Sequence, residues 1–385
     1  MQKVWSPGNV SMVHCELSTF CNAACPNCPR FFPGTHVVRA GVTLAQVTID
    51  QFKNWFESTF IQTVAVWKFC GTHGDPMMAK DVVKIIKHIF EINPQASIVI
   101  NTNGGIRNEQ DWTALGEISS KHDLQITFSV DGLEDTNHLY RRNVEWAKLI
   151  SNVKLYISAG GKAIWEFLIF RHNEHQIEEA RLYSKQLGFK EFREKRAVGF
   201  EHGNNLTDMP TFTPTGEYDY SILPPVNPNY RMSKISIDAI VDKRRDNLTK
   251  YFKENLDKIK NDFEETVSNY KDTIVSDNIQ INCNSKKNSN SEIYVNVNGI
   301  VLPCCFIGNS LDAFDGQAHA LQLKNRFREY GEDRFNLNKN SITKILNEDH
   351  LNQFAASGWN TPQCLEFCKK TCGNSHIINR IYDIK

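Results

Sequence analysis

The chain has no excess of either charge: 44 Lys and Arg stand against 44 Asp and Glu in 385 residues. That balance gives no electrostatic footprint for nucleic acid. It also has no apolar run approaching ~18 residues, so no membrane partner is expected. Its opening, MQKVWSPGNVSMVHCELSTF, lacks the basic start and continuous apolar stretch of a signal peptide. A cytoplasmic setting follows as the expectation, and there thiols stay reduced. No internal repeat is present. Cysteine, by contrast, is plentiful, with 11 residues. In a reducing compartment these read as metal ligands or buried hydrophobes rather than disulfides. Cys15, Cys21, Cys25 and Cys28 group near the start, and Cys283, Cys304, Cys305, Cys364, Cys368 and Cys372 fall in the last third. Cys70 stands alone between them. Two metal centres are expected.

At roughly 100–200 residues per domain, this length suggests a large domain and a smaller one. The 41% hydrophobic residues suffice for a sizeable core. Strand-like runs at 11–17, 63–70, 96–104, 124–132, 163–170 and 190–195 alternate with helical spacing at 49–60, 81–90, 112–118, 144–161 and 174–189. Such alternation argues for parallel strands with helical crossovers, as a partial barrel or an open sheet. In both, chemistry sits at the carboxyl ends of the strands. The segments CNAACPNC, GTHGDP, NTNG and SVDG all fall at those ends. Residues 209–228 read as an extended connector. Apolar residues from Leu248 to Tyr270 recur at helical spacing and predict a long amphipathic helix. Residues 292–306 read as a hairpin turning at Asn298-Gly299.

CNAACPNC places Cys21, Cys25 and Cys28 at C-x3-C-x2-C spacing. Tetrahedral zinc wants a fourth ligand, for which His14 or His36 is close in sequence. A 4Fe-4S cluster on three thiolates leaves one iron open to an exogenous ligand. The spacing, with strand ends converging on one rim, resembles the radical S-adenosylmethionine (SAM) superfamily and implies its partial (β/α)6 barrel. By that resemblance, Cys21, Cys25 and Cys28 bind three irons, and the amino and carboxylate groups of SAM take the fourth. Asn27 stands where relatives often have an aromatic residue.

The same resemblance assigns other loops. Gly74, Asp75 and Pro76 look like the family's glycine-rich turn, which offers acceptors to the ammonium of SAM. Ser129 and Asp131 are candidates for the ribose hydroxyls. Asn103, in the NTNG turn, positions a loop or reaches substrate. Arg193 and Lys195 could meet the SAM carboxylate, though a surface role is the preferred reading.

Cys283, Gly299 and Cys304 resemble the opening of a SPASM auxiliary-cluster domain. CLEFCKKTC adds Cys364, Cys368 and Cys372. Two full clusters need eight ligands, more than these cysteines supply. One auxiliary 4Fe-4S cluster is expected, as in the shortened Twitch version, held by Cys283, Cys304 and two of the last three; structural zinc is the alternative. Cys305, following Cys304 along a strand, should point away. Cys15 and Cys70 read as core residues. The expected division is a barrel over 1–196, a connector over 197–282 and an auxiliary domain over 283–385.

The resemblance implies reductive cleavage of SAM and hydrogen abstraction from a substrate, with an external one-electron donor such as flavodoxin or ferredoxin. A peptide or protein substrate is the first reading, and a nucleotide or small metabolite the second. A non-catalytic iron–sulfur or zinc protein is the reading from another class. No catalytic acid, base or hydrogen donor is assigned.

Overall fold

The computed structural model describes residues 4–39, 41–202, 205–233, 250, 281, 283, 285–287, 290–312, 318–356, 359, 364, 365, 368, 369 and 372. The amphipathic helix expected between Leu248 and Tyr270 lies outside these, apart from residue 250. Over the first half, strand and helix alternate as expected: β1 (Val10–Cys15), α1 (Ile49–Trp55), α2 (Ser58–Ile61), β2 (Val66–Cys70), α3 (Val82–Ile92), β3 (Ser97–Thr102), α4 (Glu109–Lys121), β4 (Asp123–Ser129), α5 (Asn137–Tyr140), α6 (Trp146–Ser158), β5 (Lys162–Ile169), α7 (Ile177–Leu187) and β6 (Glu191–Arg196). The six strands follow in chain order through a parallel sheet, so the fold class is the α/β one expected. Among the described residues, no helix is long and apolar enough to cross a membrane.

The described residues divide into two compact units. One holds residues 21–39 and those from 101 to 250. In it β4 pairs with β5 and β5 with β6, all parallel. Alternation sends Trp165 and Phe128 inward, where Trp112 lies 5.4 Å from Phe128 and Phe189 lies 5.3 Å from Trp165. Each such ring contributes about 1.5–3 kcal/mol by leaving water. α7 stops at Gly188, whose φ of 90° is left-handed and open to glycine at little cost. Two short strands follow, β7 (Glu201–His202) and β8 (Asn205–Leu206). The expected connector is more ordered than its composition suggested. β9 (Met209–Phe212) and β10 (Tyr218–Ile222) form an antiparallel hairpin. Phe212 donates its N–H to the Gly34 carbonyl at 2.9 Å, and Tyr220 its hydroxyl to Leu139 O at 2.6 Å. Pairing with residues distant in sequence supplies the partners that the proline-rich run lacks locally.

The other unit holds residues 4–20, 41–100 and the described residues from 281 on. α1 opens on a capping box, in which the Thr48 hydroxyl accepts from Gln51 N and Gln51 Oε1 accepts from Thr48 N. The single helix expected over 49–60 is interrupted. Phe56 turns extended between α1 and α2, yet Phe52, Phe56 and Phe60 all remain buried. Phe52 and Phe56 pack 5.4 and 5.1 Å from Trp67, so core contact outweighs helix continuity. The far end of the chain adds β11 (Lys286–Lys287), β12 (Asn290–Val295), β13 (Val301–Leu302), α8 (Cys305–Asp312), α9 (Ala318–Tyr330) and α10 (Ile342–Asn347). β12 and β13 make the hairpin expected around Gly299. β12 also lies parallel to β1, with Val13 opposite Ile293 and His14 opposite Tyr294. Nothing local in either segment signals that pairing.

Candidate metal centres

The cysteine loop leaves the strand end through Phe20, whose carbonyl accepts the Asp75 N–H at 2.9 Å. The GTHGDP turn is therefore bonded to the residue just before Cys21. Gly74 is required there by contact: a Cβ would stand 2.1 Å from the Ser18 carbonyl oxygen. The Asp75 carboxylate is buried and accepts from Met77 N at 3.0 Å, capping the short 3-10 turn that starts at Pro76.

Inside the loop, Cys28 N donates to Cys25 O at 3.0 Å, and Phe31 N to Cys28 O at 3.1 Å. The sulfurs are met by donors. Ala23 N lies 3.4 Å and Asn103 Nδ2 3.7 Å from Cys21 Sγ. Arg141 Nη1 lies 3.6 Å from Cys25 Sγ. Asn103 also donates to Asn22 Oδ1 at 2.8 Å, and its own Oδ1 accepts from Gly105 N at 2.9 Å. Asn27 ties the loop to Val198 O at 3.0 Å, a polar anchor where an aromatic residue is usual. Burial pushes the Cys25 thiol up, with Arg141 opposing it. Burial, then the charge of Cys25, pushes Cys28 up to about 12. Metal binding must therefore displace protons.

Ser129 ends β4 half-buried, whereas Asp131 is fully buried. The Asp131 carboxylate accepts from Leu168 N at 2.7 Å and pairs with Arg141 Nε at 2.6 Å. Asp131 was expected at the ribose; its charge is engaged inside the protein. Arg193 pairs with Glu191 and Lys195 with Glu166, both cations being half-buried.

In the second group, Cys283, Cys304, Cys368 and Cys372 line one cavity with Trp5, Ile281, Pro303, Ile307, Ala355 and Trp359. Burial raises the Cys304 and Cys368 thiols, and neighbouring thiols raise them further; Cys364 is the first of these for Cys368. Cys305 does not alternate along a strand, because it opens α8. Burial pushes it up to about 11, and Glu292 and Lys68 are its charged neighbours. Cys15 is buried in β1, and Cys70 is half-buried at the end of β2.

The donor sets suit thiolate-held clusters. The loop offers three sulfurs with N–H groups on two of them, and Arg30, itself buried, is coupled by charge to Cys21 and Cys28. At the loop, the zinc alternative needs a fourth ligand such as His14 or His36. His14 has its ring nitrogens 2.5 Å from Cys70 O and 3.7 Å from Glu292, and the charged neighbours of His36 are Arg142 and Asp219. Among the described residues, no three His, Cys, Asp or Glu side chains stand as a single-ion site.

Residues 15–183 match the radical SAM superfamily, and residues 283–373 match the SPASM iron–sulfur cluster-binding domain. The chain thus carries a radical SAM domain and a SPASM domain. These two domains imply a 4Fe-4S cluster with SAM at the first and auxiliary iron–sulfur binding at the second. No curated protein matches. Among solved structures, SuiB of Streptococcus suis is similar over 78% of this chain and 61% of its own, at 13% identity and TM-score 0.45. The chain thus spans about three fifths of the length of SuiB. Native anSMEcpe with bound AdoMet is similar over 89% of this chain and 82% of its own, at 15% identity and TM-score 0.48. BtrN in complex with AdoMet and 2-DOIA is similar over 90% and 85%, at 13% identity and TM-score 0.39.

Sequence reasoning passed over Arg141, Arg30 and Glu16. Glu16 is buried after β1 and accepts from Tyr294 OH and His73 N, both at 2.5 Å. Its single available signal was a carboxylate in an otherwise apolar strand end. Arg141 had none, since arginine after a short helix is ordinarily solvated.

Proposed function

We propose that this protein is a radical SAM enzyme in which Cys21, Cys25 and Cys28 hold the three ligated irons of a 4Fe-4S cluster. When bound, such a cluster would supply one-electron reduction of SAM, fed by a donor of flavodoxin or ferredoxin type. The residues do the rest. The Gly74-Asp75-Pro76 turn offers acceptors to the ammonium of SAM. Because the Asp75 carboxylate caps its own turn, the backbone carbonyls carry that task. Ser129 is the half-exposed hydroxyl suited to a ribose, in a turn that Asp131 holds in place. Asn103 orients Cys21 and Asn22. Residues 1–196 form the catalytic domain in this reading, 197–282 the connector and 283–385 the auxiliary domain. One auxiliary cluster is held by Cys283, Cys304 and two of Cys364, Cys368 and Cys372.

The substrate in this reading is a peptide or protein, modified by crosslinking, epimerisation or a similar step. Its support is the SPASM resemblance, since such domains are frequent among peptide-modifying enzymes. The observation that carries the proposal as a whole is the three-sulfur loop with Asn103 and Arg141 turned upon it. The test is anaerobic reconstitution with iron and sulfide, followed by reduction in the presence of SAM. 5′-Deoxyadenosine should form, and deuterium from a labelled peptide should enter it. A fully loaded, reduced sample that makes none overturns the proposal. Deuterium from nucleotides but not peptides overturns the substrate class alone.

A further inference from the structure

Asp131, fully buried, and Arg141, half-buried, form a short chain that ends on Cys25, a proposed cluster ligand. The carboxylate is fully buried and is fixed from three sides: Leu168 N donates to its Oδ1, Arg141 Nε to its Oδ2 at 2.6 Å, and the turn is clamped by Asn137 and Asn173. Asn137 Oδ1 accepts from Asp131 N, and Asn173 Nδ2 donates to Asp131 O, each at 2.9 Å. The guanidinium lies 5.4 Å from the Tyr140 ring centre, and that ring packs 4.4 Å from Phe170. One edge of the fork is thus committed to Asp131, and Nη1 is left 3.6 Å from Cys25 Sγ. A guanidinium can serve both partners at once because its donors lie in a rigid plane; an ammonium cannot hold that geometry. A guanidinium keeps its charge at any ordinary pH.

From this geometry we infer that Arg141, set by Asp131, is a positioning residue that raises the reduction potential of the cluster held through Cys25. The inference rests on the proposed function, because it needs a cluster at the loop. Its physical basis is independent of substrate. Reduction adds one negative charge to the cluster and its thiolates. A cation and an N–H donor aimed at one of those sulfurs stabilise that state more than the oxidised one. The partly desolvated site strengthens the effect relative to water. Asp131 opposes it, but from the far side of the guanidinium. Electron entry to the site would then depend on a residue that acts through a ligand sulfur.

The test is a redox titration followed by electron paramagnetic resonance on the reconstituted full-length protein, reading the signal that changes when SAM is added. Arg141→Gln should shift the reduced-to-oxidised ratio at fixed potential at least tenfold toward oxidised. That is about 59 mV for a one-electron couple. Arg141→Lys, which keeps the charge but not the fork, should recover part of the shift. Wild-type protein labelled with 15N-arginine should show a nitrogen coupling to the reduced cluster that Arg141→Lys lacks. An unchanged midpoint in iron-replete Arg141→Gln overturns the inference and leaves the proposed function standing. If that variant does not fold or load, an identical nitrogen coupling in wild type and Arg141→Lys, or none in wild type, overturns it equally. Wild type that loads no SAM-sensitive cluster overturns both.

Discussion

Around Cys21 and Cys25 the neighbours are polar and donate: Ala23 N, Asn103 Nδ2 and Arg141 Nη1. Around Cys283, Cys304, Cys368 and Cys372 the lining side chains are Trp5, Ile281, Pro303, Ile307, Ala355 and Trp359, with a backbone hydrogen bond from Ile307 to Cys304. The buried carboxylates differ in the same sense. Asp131, beside the first group, is neutralised by Arg141. Glu16, in the unit that carries the second group, accepts from a tyrosine hydroxyl and a backbone N–H and has Asp312 as a further acidic neighbour. Donors and a cation suit a centre whose charge changes and which takes an outside ligand. An apolar wall suits one whose ligands all come from the protein and whose charge is shielded from water. In the proposed function, exchange chemistry belongs to the first group, which has the cation, and a closed centre to the second.

The largest effect should come from Cys25→Ser. It should remove the SAM-sensitive cluster and abolish 5′-deoxyadenosine formation, with iron and sulfide content falling by one cluster's worth. Cys304→Ser should lower iron by a similar amount but leave SAM cleavage within about tenfold of wild type, because the open iron lies at the other group. Loss of cleavage in Cys304→Ser, measured by chromatography of 5′-deoxyadenosine, would break the assignment.

A third test addresses the two carboxylates. Burial pushes Glu16 from 4.5 up to about 7, against the hydrogen bonds from Tyr294 and His73. Asp312 is pushed up to about 6 by burial, with Asn296 opposing. A folded-state pKa raised in this way means the folded chain binds more protons than the unfolded one between about 4.5 and 7. Stability must then fall as pH rises through that window, by about 3 kcal/mol from Glu16. Glu16→Gln should flatten the fall, seen as denaturation midpoints that change less between pH 5 and pH 8. An unaltered slope would mean the carboxyl is not held protonated.

The smallest effect is expected of Cys305→Ser. It opens α8 beside Glu292, Lys68, Glu16 and Cys304 and is outside the proposed ligand set, so iron content should stay at the wild-type value. A loss of iron would instead place Cys305 among the ligands and redraw the second group.

Much of this was legible beforehand. The alternating runs became β1 to β6, and Gly188 ended its helix, because periodicity and turn chemistry act over a few residues. The break at Phe56 was not legible: Phe52, Phe56 and Phe60 satisfy helical spacing and bury equally well around a kink. The hairpin of β9 and β10 was hidden for another reason, since its partners Gly34 and Leu139 lie far away in sequence. Cys305 was misread because a helix starts where a strand pattern seemed to continue.

The spacing of Cys21, Cys25 and Cys28, the turns at the strand ends and the order of strands and helices are local properties, and the chain alone determined them. Which charge meets which sulfur was decided only in three dimensions. Arg141 reaches Cys25, and Tyr294 reaches Glu16, through packing between segments far apart in sequence. Such contacts depend on where whole elements come to rest, and no residue pattern within either segment encodes the other's position.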